Sequence, residues 1–153
     1  GLAMVEAQAV EELVIRRAER SDAAALAELA GELGYPTEPS DMERRLAALP
    51  RGDDVWVAVI DGRVAGWAHC TVRRSLLIEP HIEVMGLVVA EPWHGRGVGR
   101  HLMAAAEQSA RAAGVGSVRL RSGIHREGAH AFYLGLGYRE QKRQAVFVRD
   151  MKA

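Results

Sequence analysis

The chain has a single cysteine, Cys70, among its 153 residues. No intrachain disulfide can form, which suits a reducing compartment. Cys70 stands in an apolar, strand-like stretch with no helix N-terminus beside it, so it reads as a small buried residue and not as a nucleophile. Net charge is also lacking, because 20 Lys+Arg balance 20 Asp+Glu. Bulk electrostatics therefore draw the protein to neither nucleic acid nor an anionic membrane, although Arg96 and Arg100 make a local basic spot. No apolar run approaches the roughly 20 residues of a membrane span. Residues 1–10 lack the charged-then-apolar pattern of a signal peptide, so a cytoplasmic location is expected. The six histidines have no zinc-ligand spacing with cysteine or carboxylates, and no metal is expected. Repeats, linkers and low-complexity tracts are missing as well.

What is present is ordinary for a globular protein: 48% hydrophobic and 26% charged residues, at a length that suits one domain. A leading Gly with Met4 behind it reads as a disordered or tag-derived extension over residues 1–12, leaving one domain over 13–153. Residues 14–18 read as a first strand. Ser21 and Asp22 are N-cap types, and an alanine-rich helix follows to Leu33, with Leu26, Leu29, Ala30 and Leu33 at helical spacing. Ser40, with Glu43 three residues on, has the capping-box spacing for a second helix to Leu49. Residues 55–60 form a strand, Asp61-Gly62 signals a hairpin, and residues 64–72 return. A longer strand covers 79–90. A glycine-rich turn over 92–99 leads into a helix over 98–113, stopped by Gly114 and Gly116. A strand at 118–121, a helix at 127–136 and a last strand at 146–151 complete the order β-α-α-β-β-β-α-β-α-β. This is an α/β fold with a mixed, mostly antiparallel central sheet flanked by helices.

The turn carries the chemistry. Gly95, Gly97 and Gly99 have no Cβ, so the backbone can adopt positive φ and approach a ligand closely. The first amides of the following helix have no intrahelical partner, and the helix dipole adds positive potential there. Such a turn suits a phosphate or pyrophosphate. A lone Gly-x-Gly-x-Gly is equally a turn without a ligand. No Gly-Lys-Ser/Thr ending makes it a Walker loop, and the glycine spacing lacks the second gap of a dinucleotide fingerprint.

Two motifs decide between these readings. Val89-Ala90-Glu91-Pro92, followed by His94-Gly95-Arg96-Gly97-Val98-Gly99, resembles the first motif of the GNAT N-acetyltransferases, Arg/Gln-x-x-Gly-x-Gly/Ala after a strand and a Val-x-x-Pro turn. His94 stands where that family usually has Arg or Gln. The stretch Ala129 to Tyr138, with Phe132-Tyr133 at its centre, is similar to the family's Ala-x-x-Phe/Leu-Tyr-x-x-x-Gly-Phe/Tyr motif. Arg126 takes a position where the family often has Asn beside the pantetheine arm. The likeness runs over about residues 13–151.

The resemblance implies an acetyl-CoA-dependent N-acetyltransferase acting by direct attack in a ternary complex. Leu87 and Val89 would present backbone to the thioester and pantetheine, with the Val88 or Val89 amide as oxyanion donor. Arg96, Gly97, Gly99 and Arg100 would cradle the pyrophosphate, with His94, Gly95 and Val98 in the same loop and Arg126 and Phe132 contributing from the second motif. Tyr133 is the expected general acid, its phenol protonating the departing thiolate. Glu83 is the expected base, at the spacing to His94 seen for the glutamate of the protein-lysine members. Period two would place it on one face with Met85, Leu87 and Val89. His81, on the same face, and His125 are its rivals. The acceptor is a small amine such as a metabolite or aminoglycoside, or a protein amine. Tyr35, Glu38 and Trp67 can shape its pocket. A homodimer fits the family habit. Two other readings stay open: a non-catalytic acetyl-CoA sensor, and a domain that uses the loop for another nucleotide.

Overall fold

The computed structural model describes residues 12–123 and 126–152. His125 and nearly all of the expected N-terminal extension lie outside the described residues. The chain forms two compact units, one running through Leu120 and one from Arg121.

The first unit contains β1 (Leu13–Arg17), α1 (Ala23–Glu32), α2 (Pro39–Ala47), β2 (Asp54–Ile60), β3 (Arg63–Arg73), β4 (His81–Val89), α3 (Val98–Ala113) and β5 (Val118–Leu120). The strands lie side by side in sequence order in one sheet. β1 to β4 are an antiparallel meander, and β5 joins parallel to β4. At the β2–β3 turn, Asp61 and Gly62 take φ of 51° and 74°. A two-residue hairpin whose twist matches its strands needs both central residues in that left-handed region. A parallel partner for β4 instead requires a crossover, and α3 supplies it.

The sheet is covered on both faces. On one, Val98 and Leu102 of α3 pack on Ala58, Ile60, Ala65 and Ala68, with Leu87 and Val89 at the margin. Close packing depends on Gly66, where a Cβ would lie 2.8 Å from the Val88 carbonyl oxygen and 3.2 Å from Leu102 Cδ1. Full burial of a side chain such as Leu102 stabilises the fold by roughly 1.5–3 kcal/mol. A polar tie adds direction to this packing. Trp56 Nε1 donates to Ser109 Oγ at 2.9 Å, and Ser109 Oγ donates to Asp54 Oδ2 at 2.6 Å, joining α3 to β2. On the opposite face, Trp67 Nε1 donates to the Leu26 carbonyl of α1 at 3.2 Å.

Of the two expected helix caps, Asp22 stands at the N-cap position and Ser40 does not. Asp22 is the N-cap residue of α1 but makes no capping bond to it. Its carboxylate instead takes Arg16 Nη1 and Nη2 at 2.7 and 3.0 Å and the Glu19 amide at 2.7 Å. Ser40 does not open α2, which starts at Pro39, a residue whose fixed φ suits a first helical turn. Glu43 pairs with Arg20 and not with a helix N-terminus. The hydrogen bonds from Arg16 hold the Asp22 carboxyl below the usual carboxylate range, against the opposing effect of burial. A depressed folded value means the contribution is present above the ordinary carboxyl range and is lost as pH falls through the lower folded value. Asp22→Asn should therefore lower stability at pH 7 by about 1–3 kcal/mol. Urea midpoints of the two proteins should converge in acid, and a gap that stays constant with pH would contradict this account.

The second unit contains α4 (Glu127–Gly135). Along it, the Phe132 and Tyr133 rings meet edge to face at 5.0 Å, and the Tyr138 amide donates to the Tyr133 carbonyl at 3.0 Å. The strand expected at 146–151 is not formed: residues 139–152 have no regular structure. Val146, Phe147 and Val148 are exposed. β-branched and aromatic composition favours a strand only when a ladder partner satisfies its backbone.

Candidate functional site

β4 ends at the centre of the site, and a bulge sets what it presents. Cys70 pairs with Val84 and His69 with Gly86, so Met85 is an extra residue in β4. The pleat loses phase there. Residues directly opposite in a ladder share a face, so Glu83 and His81, opposite Thr71 and Arg73, share theirs with Gly86 and Val88. Leu87 and Val89, opposite Ala68 and Gly66, lie on the α3 side. The expectation that Glu83 shares a face with Leu87 and Val89 is thereby corrected. An isolated glycine inside a strand, Gly86, was the available signal for the bulge.

The backbone edge of β4 is the second feature. Its ladder with β5 covers only Ile82, Glu83 and Val84, opposite Val118, Arg119 and Leu120, whereas β4 runs on to Val89. Beyond Val84 the two strands are not paired. The Ala90 amide donates to the Ala65 carbonyl at 2.8 Å, which fixes the alternation of this end. Counting back along the strand, Val88 turns its amide toward β3, while Leu87 and Val89 turn theirs toward the unpaired edge. Of the two oxyanion donors expected from sequence, Val89 is the one on that edge.

The turn after β4 begins with a 3₁₀ segment, Glu91–Trp93, and ends at Gly97, the N-cap of α3. Gly95 and Gly97 have φ of 74° and 85°. With no side chain at Gly97 to cap α3, the first-turn amides of this helix receive no side-chain cap and have no intrahelical partner. Arg96 and Arg100 are exposed beside it, Arg96 stacked over Trp93 at 5.4 Å. His94, expected as part of the cofactor loop, donates Nε2–H to the Val89 carbonyl at 2.7 Å and braces the turn against the end of β4. His101 makes a comparable bond to the Gly97 carbonyl, also 2.7 Å.

Among the ionisable groups, His81 and Glu83 form a buried pair, 2% and 6% exposed, with Nε2 3.1 Å from Oε1. His69 and Thr71, on the same strand face, both bond the Asp53 carboxylate at 2.7 Å. In the second unit, burial raises the Tyr133 phenol above its usual value, partly offset by the charge of Arg126. The phenol therefore keeps its proton through neutral pH. Burial, with Asp54 and Asp53 adding to it, pushes the Cys70 thiol up to about 12, so it is no nucleophile near neutrality. A cleft of about 340 Å³ lies between α2 and the start of β2, lined by Arg17, Arg20, Glu43 and Asp53 among others. Each of those four charges has a partner within the protein. The sequence reading missed the contact between His81 and Glu83, because it treated them as rivals.

Residues 22–138 match the acetyltransferase (GNAT) family. The chain is 31% identical over 140 residues to aminoglycoside N(6')-acetyltransferase type 1 of Stenotrophomonas maltophilia, a match covering 87% of this chain and 90% of that protein. A shorter match, 43% over 58 residues and 38% of each protein, is to aminoalkylphosphonate N-acetyltransferase of Salmonella typhimurium. Among solved structures, an aminoglycoside N-acetyltransferase crystallised with CoA, AAC(6')-Iy, superposes with a TM-score of 0.82 at 17% identity, covering 94% of this chain and 97% of that one.

Proposed function

Since the chain belongs to the GNAT acetyltransferase family, we propose that it moves the acetyl group of acetyl-CoA to a primary amine of a small molecule, by direct attack within a ternary complex. The protein is an acetyl-CoA-dependent N-acetyltransferase. The observation that carries the proposal is the continuity of one chain segment: the unpaired edge of β4 runs through a left-handed turn into the N-terminus of α3. A thioester and a pyrophosphate joined by a long arm need those two features in that order.

In this reading the α3 amides, with Arg96 and Arg100, bind the pyrophosphate. The edge amides of Leu87 and Val89 take the pantetheine and the oxygen that becomes negative as the amine adds. The amine lone pair forms the new C–N bond as the C–S bond breaks. Its proton passes to the Glu83 carboxylate, and the Tyr133 phenol gives its proton to the departing sulfur. A small amine is preferred as acceptor because the relative matched over most of its length is named an aminoglycoside acetyltransferase.

The test is calorimetric titration of acetyl-CoA, then thiol release with a panel of aminoglycosides, amino sugars, aminoalkylphosphonates, polyamines and a lysine peptide. Binding with no release from any amine would favour the sensor. No binding would overturn the whole reading. With the fastest amine, Glu83→Gln should lower kcat on the order of 10²-fold while leaving acetyl-CoA affinity unchanged. A wild-type rate in that variant would remove Glu83 as the base.

A further inference from the structure

We propose that His81 is a positioning residue for the reaction: its imidazole holds the Glu83 carboxylate in the orientation needed to take the amine proton. The inference rests on Glu83 serving as the base.

The argument starts from the strand. Residues two apart in β4 project from one face, and the bulge that shifts the pleat lies after both, so His81 and Glu83 remain side by side. Both are buried, and His81 Nε2 lies 3.1 Å from Glu83 Oε1. The other ring nitrogen, Nδ1, is 3.4 Å from the Glu79 carbonyl, beyond the usual range for a strong N–H···O bond. The short contact is therefore the one that places the ring proton, on Nε2, where it donates to Oε1. The cross-strand neighbour of Glu83, Thr71, commits its hydroxyl proton to Asp53 at 2.7 Å. That hydroxyl is thus not the carboxylate's donor. Opposite His81 stands Arg73, and opposite Glu83 on β5 stands Arg119.

Position along β4 separates the roles of the two residues. Glu83 is one residue before Val84, where pairing with β5 stops, and His81 is two residues further back. The carboxylate is the nearer of the two to the unpaired edge. A bond from Nε2 to Oε1 restricts the carboxylate torsion and so fixes the direction from which a proton can be taken. Misplacing a reacting group by an ångström costs about 10²-fold in rate.

The isosteres of histidine give a discriminating experiment. Glutamine places an amide N–H near the position of Nε2, whereas asparagine places it near Nδ1 and leucine has none. With the fastest amine of the panel, His81→Leu and His81→Asn should lower kcat about 10- to 100-fold. His81→Gln should stay within a few-fold of wild type. All three should keep the wild-type acetyl-CoA affinity and amine KM. If leucine at this buried position does not fold, the asparagine and glutamine variants decide. A glutamine variant as slow as the asparagine one would overturn the proposal, and so would a wild-type kcat in His81→Asn. Glu83→Gln separates the two levels. If it is slow while His81→Asn is fast, only the positioning role fails. If Glu83→Gln itself turns over normally, the base assignment fails and takes this inference with it.

Discussion

Replacing Gly97 with glutamate should abolish measurable acetyl-CoA binding. Gly97 sits at φ 85°, in the left-handed region, at the N-cap of α3. Any L-residue there costs roughly 1–2 kcal/mol relative to glycine. A Cβ at this position meets nothing closer than the His101 ring at 3.9 Å, so backbone strain and not a clash is the first penalty. Glutamate adds a second, because its carboxylate would stand at the helix end proposed for the pyrophosphate. At about 4 Å and an intermediate dielectric, two like charges repel by roughly 4 kcal/mol. Together these amount to a loss of at least about 10³-fold, at about 1.4 kcal/mol per factor of ten. Gly97→Ala isolates the strain and should weaken binding only about tenfold. Calorimetry on the three proteins checks both steps. Equal affinity in wild type and Gly97→Glu would remove this turn from the cofactor site.

The second large effect is expected at Tyr133. Tyr133→Phe should lower kcat by roughly 10²- to 10³-fold with acetyl-CoA affinity unchanged, since only the acidic proton is removed. Burial raises the phenol above its ordinary value, so the protonated form required of a general acid persists at alkaline pH. If Tyr133 protonates the leaving sulfur, its deprotonation limits the rate only above the ordinary phenol range, near pH 10 or higher. The wild-type rate should show no loss assignable to Tyr133 between about pH 7 and 9. Thiol release measured across pH checks this. A Phe variant with the wild-type kcat would end the assignment.

How much of this was legible in the sequence depends on the range of the interactions concerned. The Asp61-Gly62 hairpin was legible because its turn type is set by two residues. The extent of α3 was read correctly to both ends, since an apolar stripe and flanking glycines are local signals. The N-cap position of Asp22 was legible, but the capping bonds were not, because Asp22 and Glu43 pair with Arg16 and Arg20 and not with the adjacent amides. The site divides in the same way. Its loop and the turn that precedes it announce themselves in sequence. The face on which Glu83 stands does not, because one bulge residue reverses a period-two count. The bond between His81 and Glu83 was open to sequence reasoning, being a spacing of two in a strand, yet partnership was overlooked in favour of rivalry. The failure at 146–151 is of another kind: propensity states what a segment can do, while the ladder decides whether it does so.

Gly66 has a role that packing alone does not describe. By omitting one methyl group it lets α3 settle within van der Waals reach of β3, with Val98, the first residue of the helix, 3.3 Å from where that methyl would be. The helix start and the β4 carbonyl at Val88 are gauged against the same absent atom. Gly66 therefore works as a spacer of zero length. It sets the interval between the N-terminus of α3 and the edge of β4, and so, in the proposed site, the length of any molecule that must reach from one to the other. In a protein whose proposed co-substrate is a long flexible arm with a charge at one end and a thioester at the other, that interval would be a dimension of specificity, written into the core by the residue that pairs with Val89.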